Sequence, residues 1–162
     1  MGLFPRFCVM QLTLPKEKSR YGQVFLLCFL VAAALFLPHC IADAVWGGGY
    51  FHYAGDFNDQ QITFYQYANN FVTQGGTFSW ATALGSGFVN AYSFYLLGSP
   101  FFWLTLWVPS RLMPWMMVPL LCLKMALAGG GGYLWARRWV RSEDWSMVAG
   151  CLYAFSGFTV YN

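Results

Sequence analysis

The chain has 162 residues, 58% hydrophobic, 21% aromatic and only 9% charged, with a formal net charge of +3 and a mean hydropathy of +0.46. A soluble domain is about 45–50% apolar and about 25% charged, so this composition excludes an ordinary soluble domain and points to membrane insertion. Lys16, Lys18 and Arg20 form one basic group and Arg137, Arg138 and Arg141 another. Each abuts an apolar run, the pattern of the cytoplasmic flanks of membrane spans and not of a nucleic-acid surface.

The five cysteines, Cys8, Cys28, Cys40, Cys122 and Cys151, are odd in number and show no CxxC or metal-ligand spacing. Neither a disulfide framework nor a zinc site is expected. Residues 1–20, with Pro5 and Pro15, form a short cytoplasmic tail. Residues 21–46 follow, with a charge-free core at 24–37; about 20 apolar residues cross a hydrocarbon layer of about 30 Å. The basic start and Ala42-Asp43-Ala44 also fit a cleaved signal peptide. The apolar run, however, outlasts the usual h-region of about 7–15 residues, and further spans follow. A first transmembrane helix is expected at 21–46, kinked near its outer end by Pro38. Trp46, Tyr50, Phe51 and Tyr53 then read as an interfacial aromatic belt.

Residues 47–113 read as an extracytoplasmic loop with short interfacial helices. After Gly47-Gly48-Gly49 comes Ala54-Gly55-Asp56-Phe57-Asn58-Asp59-Gln60-Gln61, with two of the chain's six acids. Two readings stand. On a helix, Asp56, Asp59 and Gln60 lie at i, i+3 and i+4 and share one face. There they can hold a divalent cation, or one carboxylate can act as a base tuned by the other. In the second reading Asp56 caps a helix and Asp59 favours its positive end. His39 and His52 lie at the same boundary, and His52 is near enough to Asp56 to support it.

The spacing of Ile62, Tyr65, Ala68, Phe71 and Val72 predicts an amphipathic helix, with Gln61, Gln66, Asn69 and Asn70 mostly off its apolar face. Gln74-Gly75-Gly76 should stop it. Residues 77–90, with Trp80, read as a loop. Residues 92–109 are apolar but split by Gly98 and Pro100. If they crossed, the second basic cluster would lie outside, against the positive-inside bias, so an interfacial or re-entrant helix is expected.

Residues 114–135 read as the second transmembrane helix. Lys124 lies near mid-span, where a charge costs at least about 2.5–3.5 kcal/mol. It is either a functional residue facing the bundle interior or a packing residue paired with a carboxylate or carbonyl. The glycines at 129–132 lack the surroundings of a phosphate loop and suit the close approach of another helix. Residues 136–145 form a cytoplasmic loop. Residues 146–162 begin a third transmembrane helix, with Ser156-Gly157 inside it and no closing polar flank. The expected fold is an all-α, polytopic transmembrane helical bundle, incomplete because the sequence reads as the N-terminal fragment of a longer protein.

Gly55-Asp56-Phe57-Asn58-Asp59-Gln60, Phe64-Tyr65, Trp80, Leu84-Gly85-Ser86-Gly87, Tyr95-Leu96-Leu97-Gly98-Ser99-Pro100-Phe101, Lys124 and Tyr153-Ala154-Phe155-Ser156-Gly157-Phe158, taken in this order, resemble the YfhO family of bacterial membrane proteins. The family is placed with the GT-C-type glycosyltransferases. The resemblance runs from Tyr21 onward and covers only the start of such a protein. It implies a GT-C-like bundle in the bacterial cytoplasmic membrane, with its active face outward. Its activity would move a sugar from a polyprenyl-phosphate donor to a cell-envelope polymer such as a teichoic acid. GT-C enzymes carry an essential Asp just after the first span, and Asp56 occupies that place. Asp59, Gln60, Asn58 and His52 would support it, and Asp56 with Asp59 could hold Mg or Mn. Lys124 would face the donor's phosphate, and Trp80 would stack on a sugar or anchor at the interface. Membrane lipid, donor and acceptor polymer are the implied partners, with no nucleic acid. A lipid-linked sugar transporter or flippase, and a non-catalytic membrane scaffold, are the competing functions. The enzymatic expectation attaches to the full-length protein; the fragment alone is expected to be inactive.

Overall fold

The apolar run after Arg20 contains little that competes with backbone hydrogen bonding, and it forms one helix, α1 (Tyr21–Trp46), with Pro38 inside it. The computed structural model of the chain describes residues 19–47, 51, 57–75 and 78–161, without the side chains of Asn58 and Tyr161. The basic tail with Lys16 and Lys18 lies outside the described residues, as do Tyr50 and Tyr53 of the expected aromatic belt. After α1 come a π-helical turn at Asn58–Ile62, α2 (Thr63–Gln74), α3 (Phe88–Leu96) and α4 (Pro100–Leu104). A 3₁₀ turn at Ser110–Leu112 leads into α5 (Met113–Ala136), followed by α6 (Glu143–Ala154) and α7 (Gly157–Tyr161). Among the described residues there is no β-strand, only one bridge between Ser79 and Ser86, so the chain is all-α. Two stretches, Tyr21–Trp46 and Ser110–Ala136, are 26 and 27 residues long and apolar enough to cross a membrane. At 1.5 Å per residue each exceeds the roughly 30 Å hydrocarbon layer.

The chain divides into two compact units, and α1 and α5 contribute residues to both. The first unit holds residues 19–27 and 126–161. Its glycines bring backbones together. A Cβ on Gly150 would stand 2.6 Å from the Gly129 carbonyl oxygen, and one on Gly132 would stand 3.2 Å from the Gly150 Cα. One on Gly130 would meet the Tyr21 ring at 2.4 Å. Glycine at these points permits a close approach that any side chain would prevent.

Directional contacts accompany the packing. The Tyr133 hydroxyl donates to Glu143 Oε2 at 2.5 Å and accepts from the Arg20 amide at 3.0 Å, while Arg137 Nε donates to Glu143 Oε1 at 2.7 Å. The Glu143 and Arg137 side chains are each 16% exposed. Arg20 also pairs with Asp144 at 2.6 Å, but there both side chains are well exposed, and such pairs contribute little. The hydrogen bond from Tyr133, and then the bond and charge of Arg137, hold the Glu143 carboxyl below the usual carboxylate range.

Two elements differ from the sequence reading. Glu143 and Asp144 belong to the first turn of α6 and not to a loop, because Ser142 caps that helix by accepting from the Trp145 amide and both acids favour its positive end. The apolar run from Ser146 onward is also not one helix. It breaks after Ala154, and α7 restarts beyond Ser156, whose hydroxyl accepts from the Thr159 amide.

The second unit holds residues 28–125. Its core joins Ile62, Tyr65 and Ala68 to Phe88, Phe102 and Met113. α2 ends at Gly75, which takes the left-handed conformation (φ 74°, ψ 42°) and returns its N–H to Phe71, the stop that Gln74-Gly75-Gly76 predicts. Asn69, expected off the apolar face, is 2% exposed. Its amide donates to the carbonyls of Thr105 and Val108 at 3.3 and 3.2 Å, which makes burial tolerable. Val72, expected on that face, is exposed. Phe51, expected in the interfacial belt, is 1% exposed and packs edge-to-face between Phe36 and Phe57. α3 begins at Phe88, inside the stretch read as loop. Gly98 and Ser99 separate it from α4, where Pro100 takes the first helical position.

Gly150→Ala is expected to lower stability by about 1–3 kcal/mol, because the added methyl meets a backbone oxygen that cannot move alone. Gly131→Ala, where the methyl enters open space, should be neutral or slightly stabilising. Thermal unfolding of the detergent-solubilised protein distinguishes the two. Glu143→Gln tests the charge cluster. Because the folded Glu143 carboxyl is depressed, its contribution is fully present above the unfolded value near 4.5 and is lost as pH falls through the folded value. The variant should therefore be less stable than the parent at neutral pH. The gap should close as the pH drops below the unfolded value.

Candidate functional site

The acidic stretch after α1 is wound as a π-helical turn, Asn58–Ile62, a rare geometry that recurs at functional sites. Apolar side chains hold both ends. Phe57 packs edge-to-face on the buried Phe51 with ring centres 6.0 Å apart, and Ile62 is 2% exposed in the second unit's core. Phe64, at the start of α2, stacks against Tyr92 and Tyr95 of α3 at 4.8 and 4.6 Å. The Tyr95 hydroxyl donates to Gln60 Oε1 at 3.2 Å. The turn is thus joined to α3 by a hydrogen bond, beside a ring stack from the start of α2.

Within this turn Asp59 and Gln60 have different surroundings. Asp59 is exposed, while Gln60 is half-buried toward α3. Asp56 and His52 lie outside the described residues, and so does the side chain of Asn58. No hydrogen bond or ion pair joins Asp59 to another described residue. The Gln60 carboxamide, with its oxygen engaged by Tyr95, keeps its N–H donors for another partner. Among the described residues no three or more His, Cys, Asp or Glu side chains group together. The described residues therefore do not by themselves make up a cation site around Asp59.

Lys124 is half-buried in α5, with no hydrogen bond or ion pair among the described residues. Trp80 is 82% exposed and packs on Phe78 at 5.2 Å and over Gly85. Neither is joined to the acidic turn by a hydrogen bond or ring contact among the described residues. Tyr95 and Tyr92 are the residues that sequence reasoning missed. Both lie in an apolar run, and nothing in their spacing marks their contacts, Tyr92 to Phe64 at the start of α2, 28 positions earlier, and Tyr95 to Gln60 in the turn, 35 positions earlier.

The family model for the bacterial membrane protein YfhO matches residues 25–162. No curated protein and no solved structure matches the chain.

Lys124→Met tests whether the ammonium serves packing or function. Removing a mid-span charge relieves an insertion cost of about 2.5–3.5 kcal/mol, and no described contact is lost. The thermal midpoint should stay unchanged or rise. A marked fall would assign Lys124 to structural pairing.

Proposed function

Because the chain belongs to the YfhO family of bacterial membrane proteins, we propose that it is part of a membrane glycosyltransferase of the GT-C type. The enzyme transfers a sugar from a polyprenyl-phosphate donor to a cell-envelope polymer at the outer face of the cytoplasmic membrane. The observation that carries this reading is the acidic turn itself. It is the next described helical element after the first long apolar helix, and it is held against α3 through Gln60 and Tyr95. A carboxylate at such a turn stands where a lipid-borne headgroup and a water-borne acceptor can meet.

The chemistry is a single displacement. An acceptor hydroxyl oxygen bonds to the anomeric carbon as the bond from that carbon to the phosphate oxygen breaks. The hydroxyl proton passes to a carboxylate, and polyprenyl phosphate leaves with the bonding electron pair. A neutral hydroxyl is a weak nucleophile, and a base within hydrogen-bond reach raises the rate typically 10²–10⁴-fold. Asp56 is assigned as that base, with His52 and Asn58 assigned to support it. Asp59 and Gln60 orient the reacting groups, Gln60 through its unused N–H donors. Lys124 is assigned to the charge that develops on the leaving phosphate. Displacement in one step inverts the anomeric centre. Mg or Mn bound by Asp56 and Asp59 would supply phosphate charge neutralisation, although the described residues do not by themselves complete such a site.

Asp56→Asn in the full-length protein keeps the side chain's shape and removes the base. Sugar transfer in membranes supplied with donor on the outer side should fall at least about 10²-fold, with protein levels unchanged. Undiminished transfer would remove Asp56 as the base. Loss of donor translocation in place of transfer would favour a flippase.

A further inference from the structure

We propose that the hairpin at residues 78–87 is a preformed membrane wedge that inserts Leu84, Trp80 and Phe78 at the boundary between lipid headgroups and acyl chains. Its tip is built at a disadvantage that water does not relieve. Ala83 and Leu84 both have positive φ, 44° and 63°, a region that glycine or asparagine occupies with less strain. The strained backbone presents Leu84 at 98% exposure. A leucine in a left-handed turn and fully in water is unfavourable twice over, and contact with acyl chains converts the second penalty into a gain.

The rest of the hairpin suits the same surroundings. Trp80 is 82% and Phe78 56% exposed. A Cβ on Gly85 (φ 109°) would meet the Trp80 ring at 3.0 Å and Phe78 at 3.4 Å, so both rings lie over one glycine on one side. Tryptophan at a hairpin edge matches the headgroup level, where amphipathic rings collect. Backbone groups satisfied from within also lower the cost of approaching an apolar layer. Ser79 and Ser86 exchange two backbone bonds (3.0 and 3.3 Å), the Thr82 amide bonds Ser79 O and the Gly85 amide bonds Thr82 O. The Ala81 amide is taken by the Ser79 hydroxyl. The buried Thr82 hydroxyl bonds the Tyr67 hydroxyl, which ties the wedge to α2. Finally, residues 60–110 contain no Asp, Glu, Lys, Arg or His. The absence of charge on and around the hairpin removes the largest cost of contact with lipid.

The test reads depth and not sugar transfer. In the full-length protein, with native cysteines replaced by alanine, an environment-sensitive fluorophore is placed on Leu84→Cys. Gln61→Cys, exposed on the acidic turn, is the reference. Both are reconstituted into phosphatidylcholine–phosphatidylglycerol vesicles. Nitroxide carried on the upper acyl chain should quench the probe at 84 severalfold more than at 61, and aqueous iodide should show the opposite order. Trp80→Cys should behave as Leu84→Cys and covers the case in which one labelled variant fails to fold. Equal access of iodide to 84 and 61 overturns the proposal. So does a probe at 84 that neither quencher reaches, which would place the tip against protein.

Discussion

In apolar surroundings a polar group has no water to turn to, and both units are shaped by that constraint. Among the described residues no buried side-chain nitrogen or oxygen lacks a hydrogen-bond partner. Tyr133 is 0% exposed, yet its hydroxyl serves both the Arg20 amide and Glu143. Asn69 meets the same demand differently. A helix of five residues such as α4 leaves nearly all its carbonyls, and those of the following turn, without helical partners. The Asn69 amide reaches two of the carbonyls in that turn. An asparagine on an apolar face is thus what lets α2 lie against a poorly self-satisfied turn.

In the first unit, glycine contacts and charged contacts do different work. Helices in lipid gain little from apolar burial, because lipid is as apolar as their side chains. Gly129, Gly132 and Gly150 supply proximity instead, but smooth backbone packing alone tolerates sliding. Glu143 removes that freedom. It receives Tyr133 and Arg137 from one stretch of chain, and it stands in the first turn of α6, so the register of α6 follows from two hydrogen bonds.

The all-α class, the two long apolar helices, the Gly75 stop and the helix-packing glycines were legible, because each follows from composition or from a residue with one strong backbone preference. Other features depend on partners far along the chain. The inward turn of Asn69 answers carbonyls at 105 and 108. The start of α6 at Glu143 was readable from Ser142 as a cap but was masked by the expectation that charges between apolar runs belong to a loop. Phe51 resembles a belt residue in sequence and becomes core only because Phe36 and Phe57 meet it. The density of polar side chains at 54–61 draws attention to that stretch in sequence, whereas the π winding of Asn58–Ile62 and its link to Tyr95 leave no such signal. Asp56 and His52 lie outside the described residues, so for them sequence reasoning stands alone.

That link bears on how an acidic turn can serve chemistry. A donor placed on a carboxylate stabilises its charged form and weakens it as a base. Here the nearby phenol is directed to the neutral Gln60 amide, which fixes the turn without engaging Asp59. Phe57, Ile62 and Phe64 fix it further through apolar contacts that carry no charge. The fastening of the turn therefore falls to groups that make no hydrogen bond to the Asp59 carboxylate.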